Sequence, residues 1–429
     1  MLRQLLQNKY FKAFAPLGLL FIAYLAMPYR DALPGLILDN LEIAPQLLCI
    51  AALSLGLQYR KQRIFIFSIL MLLSYWALDS QFTSQSTNQQ LNATVYAAIA
   101  IFLPLALAAS ATLTDQSVNR MQMLLMGAAI ALTITVIKWA ASQYAEAMNV
   151  FLFLELSDGR IIQGSALPDL AAVGYMIALL KIGGLFFLHT TMYEGTFLAI
   201  LIASFLGLST GFTQPDTALY VMFSSIIILM AIGETAYTLA YIDELTELPG
   251  RRALNETLSR IRGKYCIAML DVDHFKKFND TYGHDVGDQV LRMVASKMKN
   301  VGGNGACYRY GGEEFAVVFP GKNSKEAFPH LSILRENIDN THMVLRNKDT
   351  RPHAKPDITP KRKEPWKEVH VTISIGVADN TDDLNTTEQV LKGADKALYK
   401  SKEKGRNRIS QYGLESQINP SAAQRENPA

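Results

Sequence analysis

Acidic residues at two places in the C-terminal half of the chain have the type and spacing that metal-assisted phosphate chemistry needs. Asp271 and Asp273 are two residues apart after the apolar run 265–270, so both side chains are expected on one face of a strand end. Glu313 and Glu314 follow a Gly-Gly pair, where the missing Cβ atoms let a phosphate approach the backbone closely. Oxygen ligands of this kind suit a hard cation such as Mg²⁺, bound together with substrate phosphates.

Basic residues in the same half of the chain complete this pattern. Lys276, Lys402 and Arg406 are available to balance phosphate charge. Three widely spaced cysteines without a Cys-x-x-Cys pair indicate neither a zinc site nor a disulfide framework. Each acidic pair alone is typical of a solvated turn, and only their combination predicts metal-assisted phosphate chemistry.

Several sequence blocks, in order, extend over about 243–412. They are DELTELPGRR at 243–252, DVDHFKKFND at 271–280, GHDVGD at 283–288, GGEEF at 311–315, VTISIGV at 371–377, ADKALY at 394–399 and GRNR at 405–408. This series resembles the GGDEF-domain diguanylate cyclases, with the signature in its GGEEF form. A chance match to one five-letter signature is easy, whereas a chance match to the whole series is not.

The resemblance implies a role for each matching residue. It implies that Mg²⁺, or Mn²⁺ in its place, is bound by Asp271, the backbone carbonyl of Val272 and Glu313. Glu314 would be a catalytic or second-metal carboxylate, and Lys276 would stabilise charge on the reacting phosphate. The other residues implied to bind substrate are Asn279 and Asp288 on guanine, His284 close by, Gly311 and Gly312 at the signature turn, and Lys402 and Arg406 on the triphosphate.

The activity implied by the resemblance is the condensation of two GTP molecules into cyclic di-GMP with release of two pyrophosphates. Each subunit of a homodimer would present one GTP, and each 3′-hydroxyl would attack the α-phosphate of the other nucleotide. One departure from the family pattern is informative. The Arg and Asp of the inhibitory R-x-x-D site fall on Gly302 and Gly305, so we expect no product inhibition through that site.

The elements that must position these residues follow from hydrophobic periodicity. Expected helices cover 250–262, 284–300, 324–345 and 386–403, and expected strands cover 265–270, 306–310, 315–319, 369–377 and 407–412. A hairpin in the middle of alternating helices and strands excludes a purely parallel sheet. We predict an α+β domain with a mixed, mainly antiparallel sheet flanked by helices.

The N-terminal half differs in charge from the C-terminal half. Residues 1–233 contain 22 of the 79 charged residues, and apolar runs predict an α-helical membrane domain of about eight transmembrane helices. The predicted spans are 13–28, 42–59, 64–79, 93–113, 121–141, 169–188, 196–210 and 217–234. No convincing signal-peptidase site follows the first run, so we expect that helix to be retained.

Lysines and arginines at the span ends indicate the orientation. Seven of them lie before the first span or in the even-numbered connections between spans, and two lie in the odd-numbered connections. By the positive-inside rule, this distribution favours a cytoplasmic N-terminus and a cytoplasmic C-terminal half in a bacterial inner membrane. Lys138 and Lys181 lie within predicted spans and are candidate sensor groups. The alternative is that they extend to the membrane interface.

The predicted domains are a transmembrane sensor or anchor at 1–234, a short linker at 235–243, a GGDEF domain at 244–412 and a disordered tail at 413–429. The stretch 346–368 contains eight Lys or Arg and four Pro residues, which is typical of a mobile solvated loop or of a segment bound to anionic lipid. The expected partners are GTP, a second subunit and membrane lipid. A net charge of +3 gives no support for nucleic-acid binding.

Two other functions fit parts of this pattern. A degenerate GGDEF domain would bind GTP or cyclic di-GMP as a receptor without catalysis, although the intact signature argues against it. An eight-span transporter with a regulatory nucleotide domain is the second alternative. It is weakened by the lack of obvious paired broken helices or an internal repeat.

Overall fold

The computed structural model describes residues 9–32, 34–35, 39–83, 89–114, 119–156, 160–212, 214–345, 367–381 and 383–413. The chain divides into two compact units, Met1–Ala236 and Tyr237–Ala429. The predicted loop 346–368 lies outside the described residues except for its last two positions, and the predicted tail lies outside them from residue 414 onward.

All regular secondary structure in the described part of the first unit is helical. Its α-helices are α1 (Lys9–Ala26), α2 (Ala44–Gln58), α3 (Gln62–Thr83), α4 (Gln89–Ser110), α5 (Arg120–Leu152), α6 (Asp169–His189), α7 (Met192–Ser209) and α8 (Gln214–Tyr241). The sequence predicted all eight apolar runs, because the hydropathy of a span is a local property. Helix α8 continues past the boundary between the units at Ala236.

Seven helices in the described residues are long and apolar enough to cross a membrane, as judged by length and composition. They suggest membrane insertion of this unit. The exception is α2, which has 15 residues and therefore measures about 22 Å, against a hydrocarbon core of about 30 Å. The count of eight spans stays a prediction for that reason.

Ion pairs connect helix ends in the first unit. Lys12 of α1 contacts Glu234 of α8 at 2.5 Å, and Arg63 of α3 contacts the buried Glu194 of α7 at 2.7 Å. Arg30, after α1, pairs with Asp216 at the start of α8. The start of α1 thus contacts the end of α8, and the chain just after α1 contacts the start of α8. The two helices therefore run antiparallel.

The second unit contains five further helices and seven strands within the described residues. The helices are α9 (Arg251–Arg260), α10 (Phe275–Tyr282), α11 (His284–Met298), α12 (Ser324–Asp339) and α13 (Thr387–Glu403). The strands are β1 (Tyr265–Val272), β2 (Ala306–Gly311), β3 (Glu314–Pro320), β4 (Met343–Leu345), β5 (Lys367–Val369), β6 (Ile373–Asp379) and β7 (Ile409–Gln411).

Five of the strands form one sheet in the order β2-β3-β1-β6-β7. Only β6 and β7 are parallel, and the other three pairings are antiparallel, so the predicted mixed, mainly antiparallel sheet is confirmed. Every residue of the central strand β1 is buried, because helices cover both of its faces. Leu291 of α11 and Leu331 of α12 pack on one face, and Leu254 of α9 and Leu398 of α13 pack on the other.

Three expectations about elements were wrong. The helix expected at 324–345 ends at Asp339, and Met343–Leu345 pairs with Lys367–Val369 as a separate two-stranded sheet. The strand expected at 369–377 is accordingly divided between β5 and β6. Helix α10 was not predicted, because eight residues after a strand end contain too few turns for a clear helical period.

Candidate active site

The central strand ends at a buried carboxylate. Asp271 is 5% exposed and lies opposite Glu314 of β3 and Ser374 of β6 in the sheet register. Because β1 lies between β3 and β6, the sheet fixes the position of the Asp271 side chain. The structure thus brings Asp271 together with the signature carboxylates.

The hairpin between β2 and β3 presents the two signature glutamates. Gly312 has a φ of +44°, which favours glycine in the turn. The guanidinium of Arg309 donates from Nε and Nη2 to the Gly312 carbonyl at 3.2 and 2.8 Å. The amide of Val272 donates to the Glu313 carbonyl at 3.3 Å. These bonds fix the turn against the end of β1.

Three carboxylates near this turn are destabilised as anions. Burial raises the pKa of Asp271, and the negative charge of Asp273 adds to that effect. Burial and then the charge of Asp271 raise the pKa values of Glu313 and Glu314, with Asp395 contributing at Glu314. A cluster of partly buried carboxylates that repel one another is an environment that a cation stabilises.

Basic groups from the C-terminal end of α13 face this cluster. Nζ of Lys402 lies 2.7 Å from Oδ2 of Asp271, and its charge opposes the rise in pKa at Asp271, Glu313 and Glu314. Arg406 acts on Asp271 in the same direction. The family resemblance implied that Lys402 binds the triphosphate, whereas in this structure its ammonium pairs with the Asp271 carboxylate.

Helix α13 reaches this position because it lies very close to strand β6. A Cβ at Gly376 would collide with the backbone of α13 at Ala394, Ala397 and Leu398. Oγ of Ser401 donates to the Ile375 carbonyl at 2.7 Å. The close approach sets where the next residue, Lys402, enters the site, and the sequence did not single out Gly376.

Asp273 does not join the acidic cluster as a free ligand, contrary to its grouping with Asp271 in the sequence. Its carboxylate accepts hydrogen bonds from Oγ1 of Thr372 at 2.7 Å, Oγ of Ser374 at 2.6 Å and the Asn407 amide at 3.0 Å. The last bond holds the turn in which Arg406 has a φ of +63°. Asp273 therefore positions the loop that carries Arg406.

The residues expected on guanine lie on α10 and α11. Asn279 and Asp288 are half-buried and His284 is exposed. Oδ1 of Asn279 is buried without a hydrogen-bond partner among the described residues, which is costly unless a ligand supplies a donor. A Cβ at Gly287 would collide with this amide, so the glycine provides the space that Asn279 occupies. Lys276, in the first turn of α10, is exposed.

Two further residues at the site were missed in the sequence. Besides its bonds to Gly312, Arg309 donates from Nη1 to Oδ1 of Asp243 at 2.8 Å. The charge of Arg251 opposes the rise in the pKa of Glu314, and its guanidinium lies 4.6 Å from the centre of the Tyr310 ring. Arg251 stands within the first matching block and Arg309 lies two residues before the signature, and the contacts of both depend on the fold.

The donor set fits a divalent cation that completes its coordination with substrate. Among the described residues, no three His, Cys, Asp or Glu side chains converge so as to bind a metal ion by themselves. Asp271 and Glu313 supply carboxylate oxygens, and since burial raises the pKa of both, a cation would stabilise their charged forms. Mg²⁺ is commonly bound by one or two carboxylates together with phosphate oxygens, so this set fits that ion.

The C-terminal unit is similar to known proteins. Residues 240–408 match the family model described as diguanylate cyclase, GGDEF domain. Diguanylate cyclase A of Treponema denticola is 36% identical over 145 residues, which are 34% of either chain. The probable diguanylate cyclase DgcI of Escherichia coli is 35% identical over 178 residues, which cover 41% of this chain and 34% of DgcI.

A solved structure of the coiled coil and GGDEF domain of DgcB from Caulobacter crescentus, in complex with c-di-GMP, aligns with 30% identity and a TM-score of 0.40. The alignment covers 46% of this chain and 100% of the DgcB chain. This chain spans about a third of the length of the two curated relatives named above.

The fold and the site together define the class of the C-terminal unit: residues 240–408 form a GGDEF domain. Its curated relatives over this region include diguanylate cyclases, and the apolar helices before it fit a membrane sensor region.

Proposed function

We propose that this protein is a membrane-bound diguanylate cyclase, which condenses two GTP molecules into cyclic di-GMP and two pyrophosphates. The observation that carries the proposal is the convergence of Asp271, Glu313 and Glu314 with Lys402 at the end of β1 in a GGDEF domain. Acidic and basic groups within one small region are what phosphoryl-type transfer requires, since its catalysis rests on positioning and charge stabilisation.

The proposed role of each residue follows from its charge. Asp271, the Val272 carbonyl and Glu313 would hold a divalent cation, Mg²⁺ or Mn²⁺, and Glu314 would act as a second carboxylate on the metal or on the attacking 3′-hydroxyl. That cation, when bound, neutralises phosphate charge and orients the α-phosphate. With Asp271 shared in this way, the ammonium of Lys402 would be available to the triphosphate together with Arg406, because one carboxylate cannot pair closely with two cations. Lys276 would stabilise charge at the reacting phosphorus.

Guanine recognition rests on α10 and α11. The unpartnered Oδ1 of Asn279 would accept a hydrogen bond from guanine, with Asp288 accepting from the same base edge and His284 close by. A site built to pair with polar groups of one base rejects a base that lacks them. We therefore expect GTP and not ATP as the substrate.

The active form is a homodimer in this proposal, since each site holds one GTP and the product joins two. The membrane unit controls the domain through α8, whose end at Tyr241 accepts a hydrogen bond from the Gly250 amide at the start of α9. An inner-membrane location with the GGDEF domain in the cytoplasm belongs to the same proposal, because GTP is available there.

The test uses the purified full chain in detergent with GTP and Mg²⁺, and measures cyclic di-GMP and pyrophosphate. Glu314→Gln removes one charge from the site with little change of shape, and we expect at least a hundredfold loss of rate. The matched control is Glu388→Gln on the surface of α13, where an exposed pair with Lys392 contributes little. The control should retain the wild-type rate.

Equal rates for wild type and Glu314→Gln, or no product from the wild type in the presence of either metal, would contradict the proposal. Binding of GTP or cyclic di-GMP without turnover would favour the receptor function instead.

The same assay tests product inhibition. A Cβ at Gly302 would lie 2.8 Å from Nδ1 of His330, and one at Gly305 would lie 2.8 Å from Cε1 of Phe319. Both positions are crowded as well as lacking charge, which supports the expectation that no inhibitory site exists there. Added cyclic di-GMP in the low micromolar range should leave the rate unchanged, and strong inhibition at submicromolar product would contradict this.

A further inference from the structure

A cavity of about 600 Å³ lies among helices α3, α4 and α5 of the membrane unit. Its lining is almost entirely apolar and includes Leu70, Ile99, Phe102, Ala106, Ile130 and Ile134. The volume falls within the range of about 300–1,000 Å³ that is typical of small-molecule sites. Since the cavity is formed by apolar side chains of three helices, its occupant must present a largely apolar surface.

One charged residue, Lys138 of α5, lines this cavity. Its Nζ donates to Oγ of Ser80 at 2.6 Å and lies 5.0 Å from the centre of the Trp76 ring. Both partners are neutral, and no carboxylate pairs with Lys138 among the described residues. A cation in apolar surroundings with only neutral partners is stabilised when an anion binds beside it.

The position of Lys138 along α5 suits the headgroup of an amphiphile. Helix α5 begins at Arg120, in a connection that is basic and predicted cytoplasmic. Lys138 follows 18 residues later, which corresponds to about 27 Å along the helix, close to the thickness of the hydrocarbon core at about 30 Å. The ammonium thus lies at the depth where a lipid headgroup meets the acyl region, with the apolar cavity beside it.

We propose that this cavity binds a single-chain amphiphile with an acidic headgroup, of the long-chain fatty acid class. The carboxylate pairs with Nζ of Lys138 within reach of Ser80, and the acyl chain occupies the cavity between α3, α4 and α5. The carboxylate compensates the lysine charge, and the chain fills apolar space that water wets poorly. The inference concerns the membrane unit alone and does not depend on the activity proposed for the GGDEF domain.

The test measures binding of radiolabelled palmitate to the full chain in nanodiscs of zwitterionic lipid, without nucleotide. We expect saturable binding to the wild type and at least a tenfold weaker affinity for Lys138→Met, which keeps the apolar stem and removes the charge. Hexadecanol, the uncharged analogue, should bind the two proteins equally. Lys181→Met is the matched control, because Lys181 lies on α6 and does not line the cavity, and it should bind palmitate like the wild type.

Two further variants keep the proposal falsifiable if Lys138→Met does not fold. Lys138→Arg retains the charge and should keep palmitate affinity within about threefold of the wild type. Ala106→Phe fills the cavity and should weaken palmitate and hexadecanol alike. Equal palmitate affinity for wild type, Lys138→Met and Ala106→Phe would overturn the proposal, as would an absence of saturable palmitate binding to the wild type. Retention of phosphatidylglycerol that palmitate cannot displace would assign the site to a two-chain lipid and overturn it as well.

Discussion

At the scale of single residues, Gly287 controls where a neighbouring side chain lies. A Cβ at this position would collide with Oδ1 and Cγ of Asn279, whose amide oxygen is the unpartnered buried acceptor of the site. The obstructing atoms are the amide end of Asn279 and, less severely, Cζ of the Phe275 ring at 3.2 Å. Since both are ends of side chains, Asn279 can turn aside and the helix is retained. The residue thus sets the specificity of the proposed guanine site without touching the base.

Gly287→Ala should therefore raise the KM for GTP by about tenfold or more, the value of one lost hydrogen bond in a buried site. Steady-state kinetics of Gly287→Ala, Asn279→Ala and the double variant provide the measurement. We expect the double variant to be no worse than Asn279→Ala alone, because both changes act on the same amide. Additive losses would show that Gly287 acts on something other than Asn279.

At the scale of elements, an ion pair joins the start of the GGDEF domain to its signature turn. Oδ1 of Asp243 accepts hydrogen bonds from the amide and hydroxyl of Thr246 and from Nη1 of Arg309, and Arg309 also binds the Gly312 carbonyl. Burial alone would raise the pKa of Asp243, but these hydrogen bonds outweigh it and hold the pKa below its usual range. The segment after α8 and the catalytic turn are thus parts of one hydrogen-bonded network.

Asp243→Asn should lower the free energy of unfolding by about 1–2 kcal/mol at pH 7. A carboxyl whose folded pKa is depressed adds stability above its unfolded pKa, about 3.9, and this stability is lost as pH falls through the folded pKa. The difference in unfolding temperature between wild type and variant should accordingly shrink below about pH 4. A difference that does not change between pH 7 and pH 3.5 would rule out the charge as its source.

The close contact between α13 and β6 is the second feature at the scale of elements. Since backbone atoms of the helix occupy the space beside Gly376, a methyl group there must push the helix away from the sheet. Gly376→Ala should cost about 2 kcal/mol or more, which corresponds to about 4–8 °C in unfolding temperature for a unit of this size. Turnover should fall as well, because α13 carries Lys402 into the site.

Gly250→Ala is the control for this substitution. A Cβ at Gly250 would meet its nearest neighbour, the Tyr241 carbonyl oxygen, at 3.7 Å, which is an ordinary contact. Its unfolding temperature should stay within about 2 °C of the wild type. A similar loss in both variants would mean that the loss of glycine, and not the collision with α13, causes the effect.

At the scale of the whole molecule, the number of spans decides on which side the GGDEF domain lies. If α2 did not cross, seven spans would place the termini on opposite sides, and the basic residues Arg60, Lys61 and Arg63 would lie opposite the basic N-terminus. That arrangement conflicts with the positive-inside rule. We therefore expect the short α2 to cross.

Reporter fusions in a bacterial host test this topology. A fluorescent reporter at the C-terminus and one after residue 61 should be active in the cytoplasm, and alkaline phosphatase should be active only when fused after residue 86. Active phosphatase at the C-terminus would contradict both the eight-span count and access of the domain to GTP. The fusion after residue 86 lies in an expected outward connection and the fusion after residue 61 lies in an expected inward one. Each therefore serves as a control for the other.

Most of the element boundaries could be predicted, because strands and helices here follow local periods. The apolar run at 265–270 and the amphipathic run after Gly283 each specify their own element. The helix expected to continue to residue 345 could not be placed correctly, since Met343–Leu345 becomes a strand only by pairing with Lys367–Val369. That pairing joins residues more than 20 positions apart, and no local pattern reports it.

The sequence by itself determined the carboxylates, glycines and basic residues of the GGDEF blocks and the succession of apolar helices, because both are encoded in short stretches of chain. Only the tertiary structure decided that Lys402 neutralises Asp271, that Asp273 holds the turn of Arg406, and that Lys138 lines an apolar cavity. These relations join residues 58 to 134 positions apart, or elements from three helices. These contacts form only when packing brings distant elements together. The type of one residue does not specify which residue it will contact.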